Sequence, residues 1–346
     1  MYVFLTINLK KTLLITTVTV IIAAVAITVT GRNKYYAVNA DNTTEEKKYI
    51  KWVDMSIPYS LMETALNADI KSQGTEVKLN WIELMAYIAS KCGGNFKSYK
   101  KKDLDNLVNR LTAGESMTDI TQNIKLYSYY IEAYTAIFAE YVGAYKTRVN
   151  ENGVWVWKDS YGLKVFSPIA KGYGFSHYDD FGNGRSFGYR RKHLGNDLMG
   201  SVGTPIIAIE SGTVEVAGWN MYGGWRVGIR SFDKKRYYYY AHLRKGHPFP
   251  KSMAEGQIVK AGDVIGYLGM TGYSRKENVN NINVPHLHMG IQLIFDECQK
   301  DGINQIWIDV YNIVELLRKN RSEVAQNAQT KDFYRVYDIH DSSVPD

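Results

Sequence analysis

Residues Pro285-His286-Leu287-His288 open an apolar stretch, 288–295, whose composition predicts a β-strand. Side chains two residues apart on a strand point to the same face. The two histidines can therefore address one ion, or a water molecule on that ion. The fold of the surrounding chain must bring other ligands to this strand.

Two earlier segments supply further candidates. His193 and Asp197 form a His-x-x-x-Asp pattern, and His242 follows a run of four tyrosines, 237–240. Imidazole nitrogens and carboxylate oxygens are ligands that zinc prefers, and three protein ligands leave a fourth position open for water. Four of the seven histidines fall into this pattern with one aspartate, which favours a zinc site over four unrelated histidines.

The motifs around these residues occur in a fixed order along the chain. They are Arg191-Lys192-His193-Leu194-Gly195-Asn196-Asp197, the segments 203–208 and 211–214, then 240–243, 259–266 and 286–288. Together they resemble a lysostaphin-type (LytM-like) zinc endopeptidase domain over residues 185–295. That family cuts peptide cross-links in bacterial cell walls, so the resemblance implies peptidoglycan peptides as the substrate.

The resemblance also implies roles for single residues. By position in the family motifs, His193, Asp197 and His288 are the ligands of one Zn²⁺ per chain. His242 and His286 are then catalytic: one takes the proton of the attacking water, and together they hydrogen-bond the developing oxyanion. Histidine must serve as the base because no His-Glu-x-x-His arrangement is present. The sequence does not indicate which of the two is the base.

Length and charge set broader limits. At 346 residues, of which 45% are apolar, the chain has room for about two domains with accessory segments. The net charge of +7 is spread along the chain. It is compatible with attraction to an anionic wall polymer and equally with an ordinary solvated surface. No basic stripe alternates with aromatic residues, so nucleic acid is not an expected partner.

The N-terminal region contains an uncharged apolar run, Leu13–Val29. It is at the short end for a membrane span and long for the core of a signal peptide. We predict that residues 1–40 form a cytoplasmic stub and a single-pass membrane anchor, with the peptidase domain outside the cytoplasm. The alternative is a signal peptide cleaved near Ala40 and a secreted protein.

Helical periodicity dominates residues 41–149, which we predict to be a small all-α domain of unknown function and unknown protein partner. Trp81, Leu84, Met85 and Ile88 recur at helical spacing before Gly93. The longest helix is predicted over about 124–145, with one aromatic side that is typical of a core.

The sequence from residue 150 onward predicts a different architecture. Residues 150–325 alternate as strands joined by short turns, which predicts an antiparallel β-sheet LytM-like peptidase domain with a C-terminal helix. Residues 326–346 are predicted to be a polar tail. The fold class is therefore α+β multidomain: membrane segment, helical domain and β-sheet peptidase domain.

One segment departs from the family pattern. Residues 275–284 are inserted before the His-x-His strand and are rich in asparagine and charge, which predicts a solvated loop at one rim of the zinc groove. His177, His247 and His340 have no comparable context, and no role is predicted for them.

Two functions from different classes follow. The first is an active zinc endopeptidase that cuts peptidoglycan cross-links at the cell surface. The second is a catalytically silent zinc-binding scaffold, or a partner-binding protein in cell division or sporulation. All five site positions are intact, which favours the enzyme.

Overall fold

A computed structural model describes residues 49–345 of the chain. Of these, residues 50–345 belong to one compact unit. The membrane anchor predicted over Leu13–Val29 lies outside the described residues. Within 49–345, no helix has both the length and the apolar character needed to cross a membrane.

The predicted helical region is present between residues 59 and 138. Its α-helices are α1 (Tyr59–Ser72), α2 (Trp81–Cys92), α3 (Lys101–Thr112), α4 (Met117–Thr121) and α5 (Tyr127–Phe138), and Phe96–Ser98 form a 3₁₀ turn. The second helix, α2, packs most extensively against α5 and also against α1. Apolar side chains from these elements form a continuous buried core.

Local chemistry explains the limits of α2. The side chain of Asn80 accepts hydrogen bonds from the backbone N–H groups of Ile82 and Glu83, which satisfies two donors that the first helical turn leaves free. Gly93 ends the helix in the left-handed conformation, with φ of 57°. Between these ends, Trp81, Leu84 and other apolar residues at helical spacing are buried, as predicted.

The predicted long helix over 124–145 is too long at its C-terminal end. The observed helix α5 stops at Phe138, and strand β1 begins at Val142. The aromatic stripe misled the prediction because Tyr141 continues it: the Tyr141 ring packs edge-on against Phe138 with centroids 5.4 Å apart, although the backbone has left the helix. The boundary placed between residues 149 and 150 falls inside β1 (Val142–Glu151). Whether 41–149 and 150–325 fold independently stays a prediction.

The second part of the chain is mainly antiparallel sheet, as predicted. Its strands are β1 (Val142–Glu151), β2 (Val154–Leu163), β3 (Ser176–His177), β4 (Gly184–Phe187), β5 (Tyr189–Lys192), β6 (Asn196–Met199), β7 (Pro205–Ile207), β8 (Gly212–Asn220), β9 (Gly224–Ser231), β10 (Arg236–Ala241), β11 (Ile258–Val259), β12 (Val264–Tyr267), β13 (His286–Leu293), β14 (Ile306–Ile308), β15 (Val324–Gln326), β16 (Phe333–Arg335) and β17 (Ile339–His340). Two short helices, α6 (Cys298–Asp301) and α7 (Tyr311–Leu317), follow β13. The latter is the predicted C-terminal helix.

The largest sheet within the described residues has the order β11-β8-β9-β10-β13-β6-β3, with β14 pairing to β13. Its central strand β10 contains the tyrosine run. Alternate residues of a strand face opposite sides, so Tyr238 and Tyr240 point into the apolar core, where both are fully buried. Tyr239 points to the other side, which carries the candidate site.

The predicted polar tail, 326–346, contains two strands. β16 pairs with β15, and β17 pairs with the edge of β1, where Lys146 lies opposite His340. Arg335 donates a hydrogen bond to the Ala261 carbonyl at 2.7 Å. These contacts depend on backbone groups and one long side chain, which leave no periodic apolar signal in the sequence.

A buried ion cluster joins the helices to the sheet. Arg236 of β10 has no exposed surface, and its guanidinium donates two hydrogen bonds to the Glu210 carboxylate, at 2.7 and 2.9 Å. A third bond reaches the backbone carbonyl of Ala136 in α5 at 2.6 Å. The Tyr238 hydroxyl also donates to Glu210. A buried charge needs such partners, because its desolvation costs several kcal/mol.

We expect Arg236→Met to lower the free energy of unfolding by about 3–5 kcal/mol, because it leaves the Glu210 carboxylate buried without its partner. Chemical denaturation measures this. Arg190, an exposed arginine on β5, provides a control: Arg190→Met should change the free energy of unfolding by less than about 0.5 kcal/mol. The double variant Arg236→Met/Glu210→Leu should recover part of the loss, and equal stability of the single variant and the parent would contradict the assignment.

Candidate metal centre

Strand register brings two of the predicted ligands together. In the pairing of β6 with β13, Asp197 lies directly opposite His288, and His288 lies opposite Ala241 of β10 on its other side. Directly opposed residues of an antiparallel pair share a face with their Cβ atoms about 4.5–5.5 Å apart. The carboxylate and the imidazole therefore meet without any contribution from flexible loops.

His193 reaches the same point from the end of the β4–β5 hairpin. Its backbone N–H donates to the Asn183 carbonyl at 2.8 Å, which holds the segment before β6. Gly195 lies between the ligands, where a Cβ atom would be 2.4 Å from the Met289 carbonyl oxygen and 2.9 Å from the His288 ring. Only glycine permits this close approach of the two chain segments.

The three donor atoms form a small triangle. His193 Nε2 lies 2.8 Å from His288 Nδ1 and 3.1 Å from Asp197 Oδ1, and His288 Nδ1 lies 3.3 Å from that same oxygen. Tetrahedral zinc with ligands at about 2.0–2.1 Å sets neighbouring ligand atoms roughly 3.3–3.4 Å apart. The triangle is slightly smaller than that, and two imidazoles with one carboxylate are a donor set that suits zinc. The residues fit the ion.

Two residues outside the predicted set contact the ligands. Asp180 accepts from the Asp197 backbone N–H at 3.2 Å, and its backbone carbonyl lies 3.1 Å from His193 Nδ1. The Asp180 carboxylate also lies 3.2 Å from Nδ1. Both Asp180 groups can only accept, so Nδ1 donates to Asp180, although the Arg185 guanidinium also lies 3.0 Å from it. Nε2 is then the nitrogen available to a metal. The Arg185 guanidinium donates to the second oxygen of Asp197 at 3.0 Å, which leaves Oδ1 to the metal.

The electrostatics favour a charged carboxylate at the centre. Burial opposes the charge of Asp197, but its hydrogen bonds with His193 and His288 outweigh burial and lower its pKa below the ordinary range. Burial likewise opposes the charge on the His193 ring, yet the carboxylates of Asp180 and Asp197 raise its pKa to about 9 in the metal-free protein. Burial lowers the pKa of His288 despite the neighbouring Asp197.

The two predicted catalytic histidines lie beside this triangle. The His242 ring centroid is 4.9 Å from that of His286 and 5.9 Å from that of His288. His242 Nδ1 is 2.8 Å from the Thr271 carbonyl and His286 Nδ1 is 2.8 Å from the Val284 carbonyl. Because carbonyls accept, each Nδ1 carries the proton in the neutral ring, and each Nε2 offers a lone pair. Burial, with the charges of His286 and His288, lowers the pKa of His242.

The backbone around His242 is shaped to aim its ring. His242 follows β10 in the left-handed region, with φ of 63°, and its N–H donates to the Gly223 carbonyl at 2.7 Å. Such a conformation is uncommon outside glycine and costs on the order of 1–3 kcal/mol. Gly272, also at positive φ, lies where a Cβ would be 2.9 Å from His242 Nδ1. These features make room for the ring.

A groove of about 240 Å³ opens over the site. His193, His242 and His288 form part of its wall. Its remaining lining comes from basic and aromatic residues and small neighbours, namely Arg185, Tyr189, Arg191, Lys192, Leu194, Tyr222, Gly223, Tyr239 and Tyr273. A substrate in this groove would lie against both the candidate metal ligands and a candidate proton carrier.

The histidines without a predicted role lie away from the centre. His177 stacks on Tyr311 and contacts Glu315 at 3.3 Å, and His247 Nε2 is 2.9 Å from Asp332 Oδ1. His340 is in β17.

Residues 275–284 form a loop with mostly exposed side chains. Asn278 ties this loop down by accepting hydrogen bonds from the Trp225 indole at 3.0 Å and from the Gly246 N–H at 2.8 Å.

Sequence reasoning missed Asp180, Arg185, Tyr222 and Tyr273 as parts of the site. Asp180 and Arg185 precede the first ligand in a segment with no metal-ligand spacing. Tyr222 lies in a turn after β8, and Tyr273 follows the Thr-Gly pair. Clustering of acidic and basic residues at 179–192 was the one signal available, and it does not distinguish a solvated hairpin from a shell around a metal.

We expect His193→Ala, Asp197→Ala and His288→Ala each to remove most of one bound zinc per chain, because a three-ligand site loses its geometry with any single ligand. Metal analysis of the purified full-length variants measures this. His177→Ala, at a histidine outside the cluster, is the control and should retain the ion. Full zinc occupancy in all three ligand variants would refute the site.

Zinc binding should release a proton from His193. The metal needs the neutral ring, whereas the metal-free ring is protonated below about pH 9. Affinity should therefore fall by about tenfold per pH unit as the pH drops below 9. Calorimetry at pH 7.5 in buffers of different ionisation enthalpy counts the protons released. The Asp180→Asn variant lacks one carboxylate that raises the pKa of His193, so it should release fewer protons when zinc binds. A zinc affinity that does not change with pH would contradict the assignment.

Comparison with known proteins shows what this part of the chain resembles. Residues 191–301 match the model described as Peptidase family M23. The L-Ala–D-Glu endopeptidase of Bacillus subtilis (strain 168) is 33% identical over 176 residues, covering 44% of this chain and 52% of the relative. Lysostaphin of Staphylococcus simulans is 38% identical over 119 residues, covering 34% and 20% of the two chains.

A third relative is the peptidoglycan DD-endopeptidase ShyC of Vibrio cholerae. It is 35% identical over 104 residues, covering 29% of this chain and 20% of the relative. The chain thus spans about half, or less, of the length of these curated relatives. The matched range contains His193, Asp197, His242, His286 and His288. The resemblance to lysostaphin-type peptidases is confirmed: residues 191–301 of this chain match the model of Peptidase family M23.

Proposed function

We propose that this chain is a zinc-dependent endopeptidase that hydrolyses peptide bonds of bacterial peptidoglycan. One observation carries the proposal: donor atoms of His193, Asp197 and His288 converge beside two further histidines at an open groove. The names of the relatives support it, since two of the three are named as endopeptidases and one of these as a peptidoglycan endopeptidase. The substrate comes to this chain by that similarity alone.

Hydrolysis of a peptide bond needs an activated water, a stabilised oxyanion and a proton for the leaving amine. Zinc, when bound, polarises the scissile carbonyl and lowers the pKa of a water to about 7. His242 and His286 can exchange protons through Nε2, because each Nδ1 is engaged by a backbone carbonyl. One accepts the proton of the water, and in the protonated form it can donate to the oxyanion or the leaving amine.

The walls of the groove support the same chemistry. His242 is buried, and burial lowers its pKa, so its ring is neutral and able to accept a proton at neutral pH. Asp180 accepts hydrogen bonds from the His193 ring and from the Asp197 backbone N–H, and Arg185 donates to the Asp197 carboxylate. Such supporting contacts keep the ligand atoms oriented before substrate arrives.

We further propose that the peptidase domain acts outside the cytoplasm, because its substrate is there. The uncharged run Leu13–Val29 supports this location as a single-pass membrane anchor. Cleavage near Ala40 followed by secretion would also place the peptidase domain outside the cytoplasm.

Digestion of purified peptidoglycan by the zinc-loaded full-length chain tests the proposal, with products identified by mass. His242→Ala and His286→Ala should each retain zinc and lose at least about 10²-fold in hydrolysis rate, because they remove proton transfer and not a ligand. His247→Ala, a histidine outside the groove, is the matched control and should keep full activity.

Two outcomes would overturn the proposal or its assignments. An intact, zinc-loaded chain that releases no peptide fragments from any wall preparation would favour a binding role for the domain. Loss of zinc in His242→Ala or His286→Ala would make that histidine a ligand.

A further inference from the structure

Arg191 occupies an unusual place in the groove. It is part of β5, and its guanidinium carbon lies 4.9 Å from the ring centroid of Tyr222 and 5.2 Å from that of Tyr273. Its Nη2 donates to the Tyr273 hydroxyl at 3.0 Å. Two aromatic rings and one hydroxyl thus hold a normally flexible side chain in one position.

The hydrogen-bonding capacity of this guanidinium is largely unused. Arginine carries five N–H donors, and among the described residues the Tyr273 hydroxyl is the one acceptor found for the Arg191 side chain. Its Nη1 is shielded and has no hydrogen-bond partner in this part of the chain. A shielded donor without an acceptor costs free energy, and such groups in native structures call for an explanation.

Arg191 differs from its neighbour Arg185 in having no acidic partner among the described residues. In the β4–β5 pairing, Arg185 lies directly opposite Arg191, which is unfavourable for two like charges. Arg185 is neutralised by Asp180 and Asp197. For Arg191 no carboxylate partner exists among the described residues, and the described lining of the groove contains no Asp or Glu. Within the described part of the chain, no acidic side chain in the groove balances the charge of Arg191.

We propose that Arg191, held by Tyr222 and Tyr273, binds a free carboxylate of the peptide that occupies the groove. The inference rests on the proposed function and deepens it: the substrate is an acidic wall peptide, and Arg191 determines that specificity. A guanidinium binds a carboxylate through charge-assisted N–H···O bonds, and part of Arg191 lines the groove where such a carboxylate would lie. Because the rings already restrict its side chain, little conformational entropy is lost on binding.

The role is one of recognition and not of proton transfer. Arg191 lies two residues before the candidate ligand His193, and in the described chain neither its Nη1 nor its Nη2 donates a hydrogen bond to a candidate metal ligand. Its removal should therefore leave zinc in place. Arg190 provides a matched control on the same strand, since it is exposed and absent from the lining of the groove.

The test uses two forms of one peptidoglycan stem peptide, one with free carboxylates and one with every carboxylate converted to carboxamide. The zinc-loaded full-length chain should prefer the first by about 10–100-fold in kcat/KM, the range expected for hydrogen bonds to a charged group. Arg191→Gln should remove most of that preference by slowing the first peptide, with the second nearly unchanged. Arg190→Gln should keep the parent's preference.

Binding gives a readout that does not depend on turnover. Calorimetry of both peptides with the zinc-loaded His286→Ala chain, with and without Arg191→Gln, should show the same preference and its loss. If wall is cut but the preference survives in Arg191→Gln, or if no preference exists, the inference is wrong and the proposed function stands. If the chain cuts no wall peptide but binds the free-carboxylate peptide more tightly than the carboxamide through Arg191, the carboxylate site stands and the proposed peptidase function is wrong. Binding of neither peptide overturns the inference.

Discussion

The register between β6 and β13 is the constraint on which the site depends. It sets Asp197 directly opposite His288, with β10 on the far side of β13. A slip of one residue would turn these side chains to opposite faces of the sheet. The close approach at Gly195, where any Cβ would collide with the Met289 carbonyl, then brings His193 to the same point. Three ligands on two strands and one tight segment form a rigid centre.

That register is secured by burial on the opposite side of the sheet. In β10, Tyr239 faces the groove, whereas its neighbours Tyr238 and Tyr240 point to the other side of the sheet and are buried in the core. Arg236, at the start of the same strand, bonds to Glu210 and to the last turns of helix α5. The helices thus contribute to the position of β10, although they supply no residue to the metal centre.

Charge is distributed unevenly around the groove. Arg185 forms ion pairs with both Asp180 and Asp197, and the hydrogen bonds from His193 and His288 keep Asp197 ionised despite its burial. Arg191 has the same charge as Arg185 and faces the same space, yet no acid of the described chain balances it. The charged groups around the candidate metal ligands have partners within the protein, whereas Arg191 has no acidic partner in the described chain. The difference separates the groups that build the site from those that recognise a ligand.

The sequence by itself placed the candidate metal ligands and the two further histidines in local motifs, and it predicted strands close to β10 and β13, because strand periodicity is a local property. The roles of the five residues came from the resemblance to the family. The sequence also indicated the helical region, but not the end of α5, since Tyr141 continues the aromatic spacing after the backbone has changed. Only the tertiary structure decided that Asp180, Arg185, Tyr222 and Tyr273 belong to the site. Their roles arise from contacts between segments far apart along the chain, and such contacts depend on register and packing that no local pattern records.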